Sequence, residues 1–511
     1  MRAHPQERVH RCLLIPELFN FICIQIDETL GFKRFSTLAA LARTCRLFRD
    51  APLDILWSRI PDLGRLIRCM PSDVWTITRG ELQIVRPICA SDCPRFFEYS
   101  RRVKSIGTSY NMYNDPRLEL NFYEKLDGIE KPLLPNVTRI VWCHVPPRRF
   151  SECDWILGPN INDIELSLSL PSAPLSYDHD YMMAFHSKYP LLKRFCINVF
   201  GDYTSASGMV STLVCGWASL DTLEIRGVSD VLAHISALPN LRVLKYFETR
   251  DTQITTSPIF SLLAFQSLQV LLLIANNLSL GVNVIRSLRN GSLRKIQFHI
   301  RNNQPFAVWG DFFAAIGAHC RPSSLTSIRV DEEYYRTPVI EPILHPITME
   351  VLRPLLAFSN LTEVIIIHRL RFDIDAQAIK DIASSWPRLR VLELHHSGCA
   401  LHSGLPPRLT LCALTPLVER CRELASLAID TDASGPLPVL NPQTISAIGN
   451  RGCGNCRFSV GHSPISDSTS VATFLRQLFP NGVKIVTTSP GRCVQVDNLW
   501  LGVADLLAPK E

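Results

Sequence analysis

Apolar positions along this chain follow two different periods. From Leu13 to Trp57 they recur at helical spacing. Pro16 and Glu17 suit the opening turn of a first helix, since proline fits the first turn and an acid complements the helix N-terminus. Leu18, Phe19, Ile22 and Ile26 then form its apolar stripe. Ser36 is the expected N-cap of a second helix, striped by Leu38, Leu41, Ala42, Cys45 and Phe48. Asp50 and Pro52 punctuate, and Leu53, Leu56 and Trp57 give a third short apolar face. Residues 59–102 read as a connector cut by Pro61, Pro71 and Pro87, with short helices around Leu63–Ile67 and Cys93–Arg102.

From Val103 onward the pattern becomes apolar-x-x-apolar-x-apolar, usually preceded by Pro, Asn or Ser. It runs from Val137/Ile140/Trp142 and Ile161/Ile164/Leu166 through Leu241/Leu244/Tyr246 and Leu268/Leu271/Leu273 to Leu424/Leu427/Ile429. First positions recur every 21 to 36 residues and cluster near 28, the length of a leucine-rich repeat. Places 1, 4 and 6 anchor a turn and a short strand, the last two on one strand face. One such unit cannot bury its apolar side, whereas stacked neighbours share a core. Thr348–Ala357, Asp375–Ser384 and Leu414–Arg422 have the spacing of return helices, the first kinked or shortened by Pro354. LPNLRVL (238–244), FSNLTEV (358–364) and WPRLRVL (386–392) resemble leucine-rich repeats most closely, although the asparagine that follows the strand in that family is largely missing. Cys453/Cys456/Phe458 reads as one further rung, and Gly491–Glu511 as a tail that caps the array.

The N-terminal segment also carries a family resemblance. Leu-Ile-Pro-Glu-Leu (14–18), Leu-Ala-Ala-Leu-Ala-Arg-Thr-Cys-Arg-Leu-Phe (38–48) and Leu-Asp-Ile-Leu-Trp (53–57) stand in the order of an F-box, in the form common among fungal F-box proteins. The resemblance covers about 45 residues and departs from the family in the long polar insert Asp27–Phe35. It implies docking on the Skp-type adaptor of a cullin–RING ubiquitin ligase. The residues implied in that docking are Leu14, Ile15, Pro16, Leu18, Phe19, Ile22, Leu38, Leu41, Cys45, Phe48, Leu53, Leu56 and Trp57. The expected fold is α/β: a short N-terminal helical F-box (13–58) after a polar lead (1–12), then a connector (59–102). A curved α/β solenoid of leucine-rich-repeat-like units (103–490) and the tail (491–511) complete it.

Composition narrows the function. An apolar content of 46% with 20% charged residues is that of a folded chain, and 511 residues exceed a single core. A net charge of +6 with no Lys/Arg run argues against nucleic-acid binding. The 17 cysteines are scattered through apolar segments, the opening MRAHPQERVH is polar, and no apolar run spans a bilayer. Together these point to a reducing, intracellular setting in cytoplasm or nucleus, where Asn-x-Ser/Thr at Asn136, Asn277, Asn290 and Asn360 is a chance match.

Candidate chemistry is sparse. Cys453-x-x-Cys456, with Cys399, Cys412, Cys421 and His462, invites a zinc reading but lacks a second pair at proper spacing. A tight turn between Gly452 and Gly454 is the favoured reading, and no metal or cofactor is expected. His368, His395 and His396 fall at strand ends, where surface polar groups are expected. No phosphate loop, HExxH or nucleophile elbow occurs. The strand residues between the core places are more informative, because in a solenoid they line one face. Most rungs offer charge there, but Val243, Lys245 and Phe247, then Val270, Leu272 and Ile274, are mainly apolar. Such a patch either receives a partner protein or lies under another segment of the chain. The expected function is a non-catalytic adaptor: the F-box holds the ligase core, and the repeats hold a target protein. The alternative is a repeat scaffold whose F-box-like helices only cap the array, without ligase assembly.

Overall fold

One hydrogen-bonding rule repeats along this protein. In the computed structural model the carbonyl of a rung's second residue accepts two backbone N–H groups from the next rung. Thr138 accepts Asn162 and Asp163, Arg242 accepts Gln269 and Val270, and Thr326 accepts Thr362 and Glu363. The residue just before place 1 adds a side-chain donor to the previous rung. Asn136 reaches the Arg101 carbonyl at 2.8 Å, Ser219 that of Leu192 at 2.9 Å, Ser292 that of Leu268 at 3.0 Å, and Asn360 that of Ser323 at 2.9 Å. This explains the Asn and Ser that precede the repeat. They satisfy carbonyls that would otherwise be left unpaired where one rung turns into the next.

The structure describes residues 10–29, 31–107, 117–118, 124–126, 129, 132–145, 158–170, 185–201, 203–228, 231–248, 260, 264–288, 291–302, 304, 306–332, 346–368, 372–396, 407–451, 456–487 and 494–508. They fall into two units, Met1–Leu220 and Asp221–Glu511.

The first unit opens with helices α1 (Pro16–Thr29), α2 (Arg34–Ala42) and α3 (Asp50–Ser58). Strand β1 (Arg59–Ile60) follows α3 with no residue between. Next come helix α4 (Gly64–Ile67), strands β2 (Trp75–Thr78) and β3 (Glu81–Ile84), and helix α5 (Pro94–Ser100). Strands β4 (Ser105–Ile106), β5 (Arg117–Leu118), β6 (Arg139–Val145), β7 (Asp163–Leu170) and β8 (Arg194–Gly201) complete its sheets. β2 and β3 form a hairpin whose Arg79–Gly80 turn has positive φ at both residues, matching the right-handed twist of the strands. β1, β4, β6, β7 and β8 are parallel, with Ile60, Ile106, Ile140, Ile164 and Phe195 stacked in register. The parallel ladder therefore starts at Arg59, inside the segment expected as a connector. A two-residue strand is too short to show alternation in sequence.

Ser36 is not the cap of α2. The helix already begins at Arg34, and the Ser36 hydroxyl donates to the Lys33 carbonyl at 2.9 Å from inside the first turn. Asp50 and Pro52 likewise lie within α3. Asp50 suits the helix N-terminus electrostatically, and proline tolerates a first turn.

In the second unit the parallel strands are β9 (Thr222–Arg226), β10 (Val243–Phe247), β11 (Val270–Ala275), β12 (Lys295–Ile300) and β13 (Ser327–Glu332). The two-residue β14 (Ile347–Thr348) and β16 (Phe372–Asp373) pair with each other to one side. β15 (Glu363–His368), β17 (Val391–His396), β18 (Ser426–Ile429), β19 (Cys456–Ser459) and β20 (Val483–Val486) continue the main sheet. Place 4 forms a straight buried row through Leu223, Leu244, Leu271, Ile296, Ile328, Val364, Leu392, Leu427, Phe458 and Ile485. A beside-row of Ile225, Tyr246, Leu273, Phe298, Val330, Ile366, Leu394 and Ile429 fills place 6. The fold is thus α/β, with a leucine-rich-repeat-like stack of parallel strands. The register corrects one rung: Phe458 lies opposite Leu427, so it takes place 4, and Cys456 sits two residues before it.

The expected return helices are present as Met349–Leu352, Ala376–Ser385 and Thr415–Arg420. Pro354 shortens the first, which passes into a 3-10 turn at Arg353. Asp375 caps the second by accepting the Ala378 N–H at 2.8 Å. At the C-terminal end, helix Val494–Leu507 packs on helix Ser468–Leu478 and on β20. Its Trp500 is fully buried, edge-on to Phe458, with the indole N–H on the Ser463 carbonyl at 2.9 Å. Among the described residues no helix is long and apolar enough to cross a membrane.

Candidate partner-binding surfaces

Among the described residues, the three opening helices enclose a core of Phe19, Cys23, Leu38 and Phe48, with Leu13, Ile26, Leu41, Ala51, Ile55 and Leu56 partly buried around it. The Phe19 and Phe48 rings stack at 4.4 Å. One helical face of α1 supplies Phe19, Cys23 and Ile26 to this core. Phe21 lies opposite that face and Leu18 and Ile22 flank it, and all three are exposed. Leu14, Ile15, Leu18, Phe21, Ile22 and Ile24 are between 36% and 59% exposed.

The far side of the bundle is fixed to the segment that follows it. Trp57 stacks on Tyr99 at 4.4 Å. Arg102 pairs with Asp50 at 2.7 Å and also with Asp54, and Arg49 pairs with Glu98 at 2.6 Å. α3 is therefore the seat of the bundle, while Leu18, Phe21, Ile22 and Ile24 of α1 stay exposed.

The thirteen residues implied by the F-box resemblance separate into three groups. Phe19, Leu38 and Phe48 form the small core and hold the helices together. Leu41, Leu53, Leu56 and Trp57 are half-buried between helices or against α5. Leu14, Ile15, Pro16, Leu18, Ile22 and Cys45 are exposed. Sequence reasoning missed Phe21, Ile24, Phe35 and Leu47, all exposed large apolar residues. The spacing 14, 18, 21, 22 could have revealed Phe21, whereas Leu47 sits in a 3-10 turn where helical periodicity does not apply.

The apolar strand face of the second unit is brought together by register: Val243 with Val270, Lys245 with Leu272, and Phe247 with Ile274. All six are half-buried. Two are already engaged by the neighbouring rung. Lys245 lies 3.3 Å from Glu224, and the Arg226 guanidinium covers the Phe247 ring at 3.9 Å from its centre. Burial disfavours the Glu224 carboxylate, but hydrogen bonds from Arg226 and the Lys245 charge outweigh it and hold the group below its usual range. Val270, Leu272 and Ile274 remain as an apolar strip, flanked in β12 by Lys295, Gln297 and His299. Beyond them Asp331 is bound by His299 at 3.1 Å and Arg329 at 2.8 Å. These contacts overcome its burial and keep it ionised at lower pH than an ordinary aspartate.

One expectation about histidine changes. His368 is not a surface group but buried, 3.5 Å from the buried Glu332 carboxylate and edge-on to Trp309. It belongs to a set of buried polar groups at the strand ends. Glu248 accepts the Asn276 N–H at 2.6 Å, and Glu332 accepts that of Gln304 at 3.4 Å. These carboxylates satisfy backbone donors at the strand ends. Of the zinc candidates, Cys399 and Cys453 lie outside the described residues, as does the side chain of His396. Cys456 is a buried strand residue, and the Cys421 thiol donates to the Trp386 carbonyl at 3.4 Å. Among the described residues no three His, Cys, Asp or Glu side chains gather as a metal-binding group.

No protein-family model matches the chain, and no curated protein matches it. Among solved structures, it is similar to the yeast complex of Rad7 and Elc1, at 14% identity over 78% of this chain and 82% of the other, with a TM-score of 0.34. It is also similar to the leucine-rich-repeat-containing protein LegL7 from Legionella pneumophila, at 13% identity over 68% and 92%, with a TM-score of 0.28.

Proposed function

We propose that this protein is a non-catalytic adaptor. Its first three helices, the segment that resembles an F-box, dock on a Skp-type adaptor of a cullin–RING ubiquitin ligase, and its repeat stack holds a target protein inside the cell. The observation that carries this reading is the outer face of α1. Leu18, Phe21, Ile22 and Ile24 on that helix, with Leu14 and Ile15 just before it, stay between one third and three fifths wet, on a bundle whose described core is four buried residues. Burying a side chain of this kind is worth ~1.5–3 kcal/mol, so a partner that covers the remaining half of each gains several kcal/mol in all. On the repeat stack, the strip Val270, Leu272 and Ile274 with its charged border is the surface we assign to the target.

The test is direct. Purified full-length chain should co-purify with a Skp-type adaptor, and failure of the wild-type chain to do so sinks the ligase reading. A second reading has one observation behind it: α3 is clamped to α5 by ion pairs and the Trp57–Tyr99 stack, as a cap would be. A capping bundle, however, has no use for an apolar outer face on α1.

A further inference from the structure

Within the second unit, the strand face that carries Val270, Leu272 and Ile274 forms a grid, because parallel register sets each residue beside its neighbours. Val243, Val270 and Lys295 share one row. Lys245, Leu272, Gln297 and Arg329 share the next, and Phe247, Ile274, His299 and Asp331 the third. An apolar centre is thus bordered by Lys245, Lys295 and Arg329, with Arg226 of β9 in register with Phe247 at one corner. The same face of β9 to β13 carries two carboxylates, Glu224 and Asp331. The next acid along the sheet, Glu363 of β15, stands opposite Ser327 and accepts its hydroxyl at 2.6 Å.

Acids and cations do not meet solvent equally here. The Glu224 and Asp331 side chains are 9% and 14% exposed, whereas Arg226, Lys245 and Arg329, which pair with them, are 49%, 36% and 37% exposed. Each pair buries its negative end and presents its positive end. Lys295 makes no ion pair among the described residues, so four permanent cations face two sunken carboxylates. Lys245 can also turn to a newcomer without stranding its partner, because Glu224 accepts two hydrogen bonds from Arg226, at 2.9 and 2.7 Å. An apolar strip inside a positive border is complementary to apolar side chains with negative neighbours.

We infer that the target segment held on this face is acidic: a bulky aliphatic or aromatic side chain lies on the Val270–Leu272–Ile274 strip, bracketed by two carboxylates that reach Lys245 and Lys295. This rests on the adaptor reading only in giving the strip to a target protein. β10 and β12 stand two strand spacings apart, roughly 9.5 Å, which an extended chain crosses in about three residues. The acids of the segment are therefore about three residues apart with the apolar residue between them. Carboxylates suit this border better than phosphates do. Its cations are single charges spaced around the strip, not a convergent pair of guanidinium forks of the kind that holds a doubly charged phosphate.

The probe is a displayed library of random peptides, selected on the immobilised full chain. Enriched peptides should carry Asp or Glu about three residues apart around Leu, Ile or Phe. Their affinity should fall about fivefold on Lys295→Glu, which reverses one border charge, and about fivefold on Leu272→Ala, which shrinks the strip. Replacing the peptide acid that faces Lys295 by lysine should weaken binding to the wild-type chain and restore it on Lys295→Glu. A gain of affinity cannot come from misfolding, so the exchange remains decisive if either variant is less stable. The inference is overturned if no peptide is enriched, if the enriched peptides lack the acidic bracket, or if both substitutions leave their affinity unchanged. It is overturned in favour of a phosphorylated target if phosphoserine in place of an acid tightens binding tenfold. Co-purification with a Skp-type adaptor uses the face of α1 instead, so either result can fail while the other stands.

Discussion

Leu18→Asp separates docking from folding. Leu18 is 45% exposed and lies in the first turn of α1, which starts at Pro16. In the free chain an acid there costs little, since the helix N-terminus favours negative charge and surface changes stay within about 0.5 kcal/mol. Docking magnifies the change. Covering the wet half of a leucine is worth about 1 kcal/mol, and the substitution forfeits it. A carboxylate sealed unpaired into an apolar interface adds several kcal/mol more. The loss should reach at least ~3 kcal/mol, or more than a hundredfold in affinity for the Skp-type adaptor. Isothermal titration of the adaptor beside a thermal melt measures both quantities. Phe19→Ala is the companion, because Phe19 is buried and stacked on Phe48. It should destabilise the bundle by ~3–5 kcal/mol. If Leu18→Asp keeps wild-type affinity, or lowers the melt as much as Phe19→Ala does, the reasoning is wrong.

Three further outcomes follow from other parts of the structure. Arg86 donates two hydrogen bonds to Asp92 and the Cys89 N–H adds a third, holding the Asp92 carboxyl down at about 2. Because the folded value lies below the unfolded one of about 3.9, this contribution is full above pH ~4 and is lost as pH falls through 2. The stability gap between wild type and Asp92→Asn in urea unfolding should therefore be flat from neutral pH to about 5 and close below 4; a gap that widens on acidification contradicts the assignment. Burial pushes the Cys320 thiol up to about 12, so peptide mapping after iodoacetamide treatment at pH 8 should show exposed Cys45 and Cys89 alkylated and Cys320 intact. Trp500→Ala removes a fully buried ring and its bond to Ser463, and should cost ~3–5 kcal/mol. Limited proteolysis should then cut first in 494–507, and an unchanged digestion pattern would show that this helix does not cover the last rung.

The stacked core was legible because places 4 and 6 of each strand face inward and must be apolar, whatever the length of the crossing between them. Leu244, Leu271 and Ile296 align in register even though their crossings differ in length. The first rung was not legible, since Arg59–Ile60 is too short for any period to show. Phe458 was placed two residues out because the glycines and cysteines around it carry no strong strand pattern. His368 was misjudged because sequence alone places it at a strand end, and only packing against Trp309 and Glu332 shows that the end is covered. On α1 the docking stripe was only partly legible. Periodicity identifies an amphipathic helix, but a helix apolar on two sides does not declare which side the bundle takes.

The junction at Ser58 and Arg59 has a mechanical consequence. α3 ends and β1 begins without a spacer, and the ion pairs to Glu98 and Arg102 with the Trp57–Tyr99 stack hold α3 against the segment that follows. A tethered module explores a volume, and its reactivity toward a neighbour is set by how often chance brings them together. A module welded to the beginning of a sheet holds one bearing instead. On the adaptor reading, the first unit's sheet would be held at a fixed angle and reach from the ligase, like a jig in which the work is aligned once and for all. A few glycines inserted at this joint would leave each part intact and undo only the alignment.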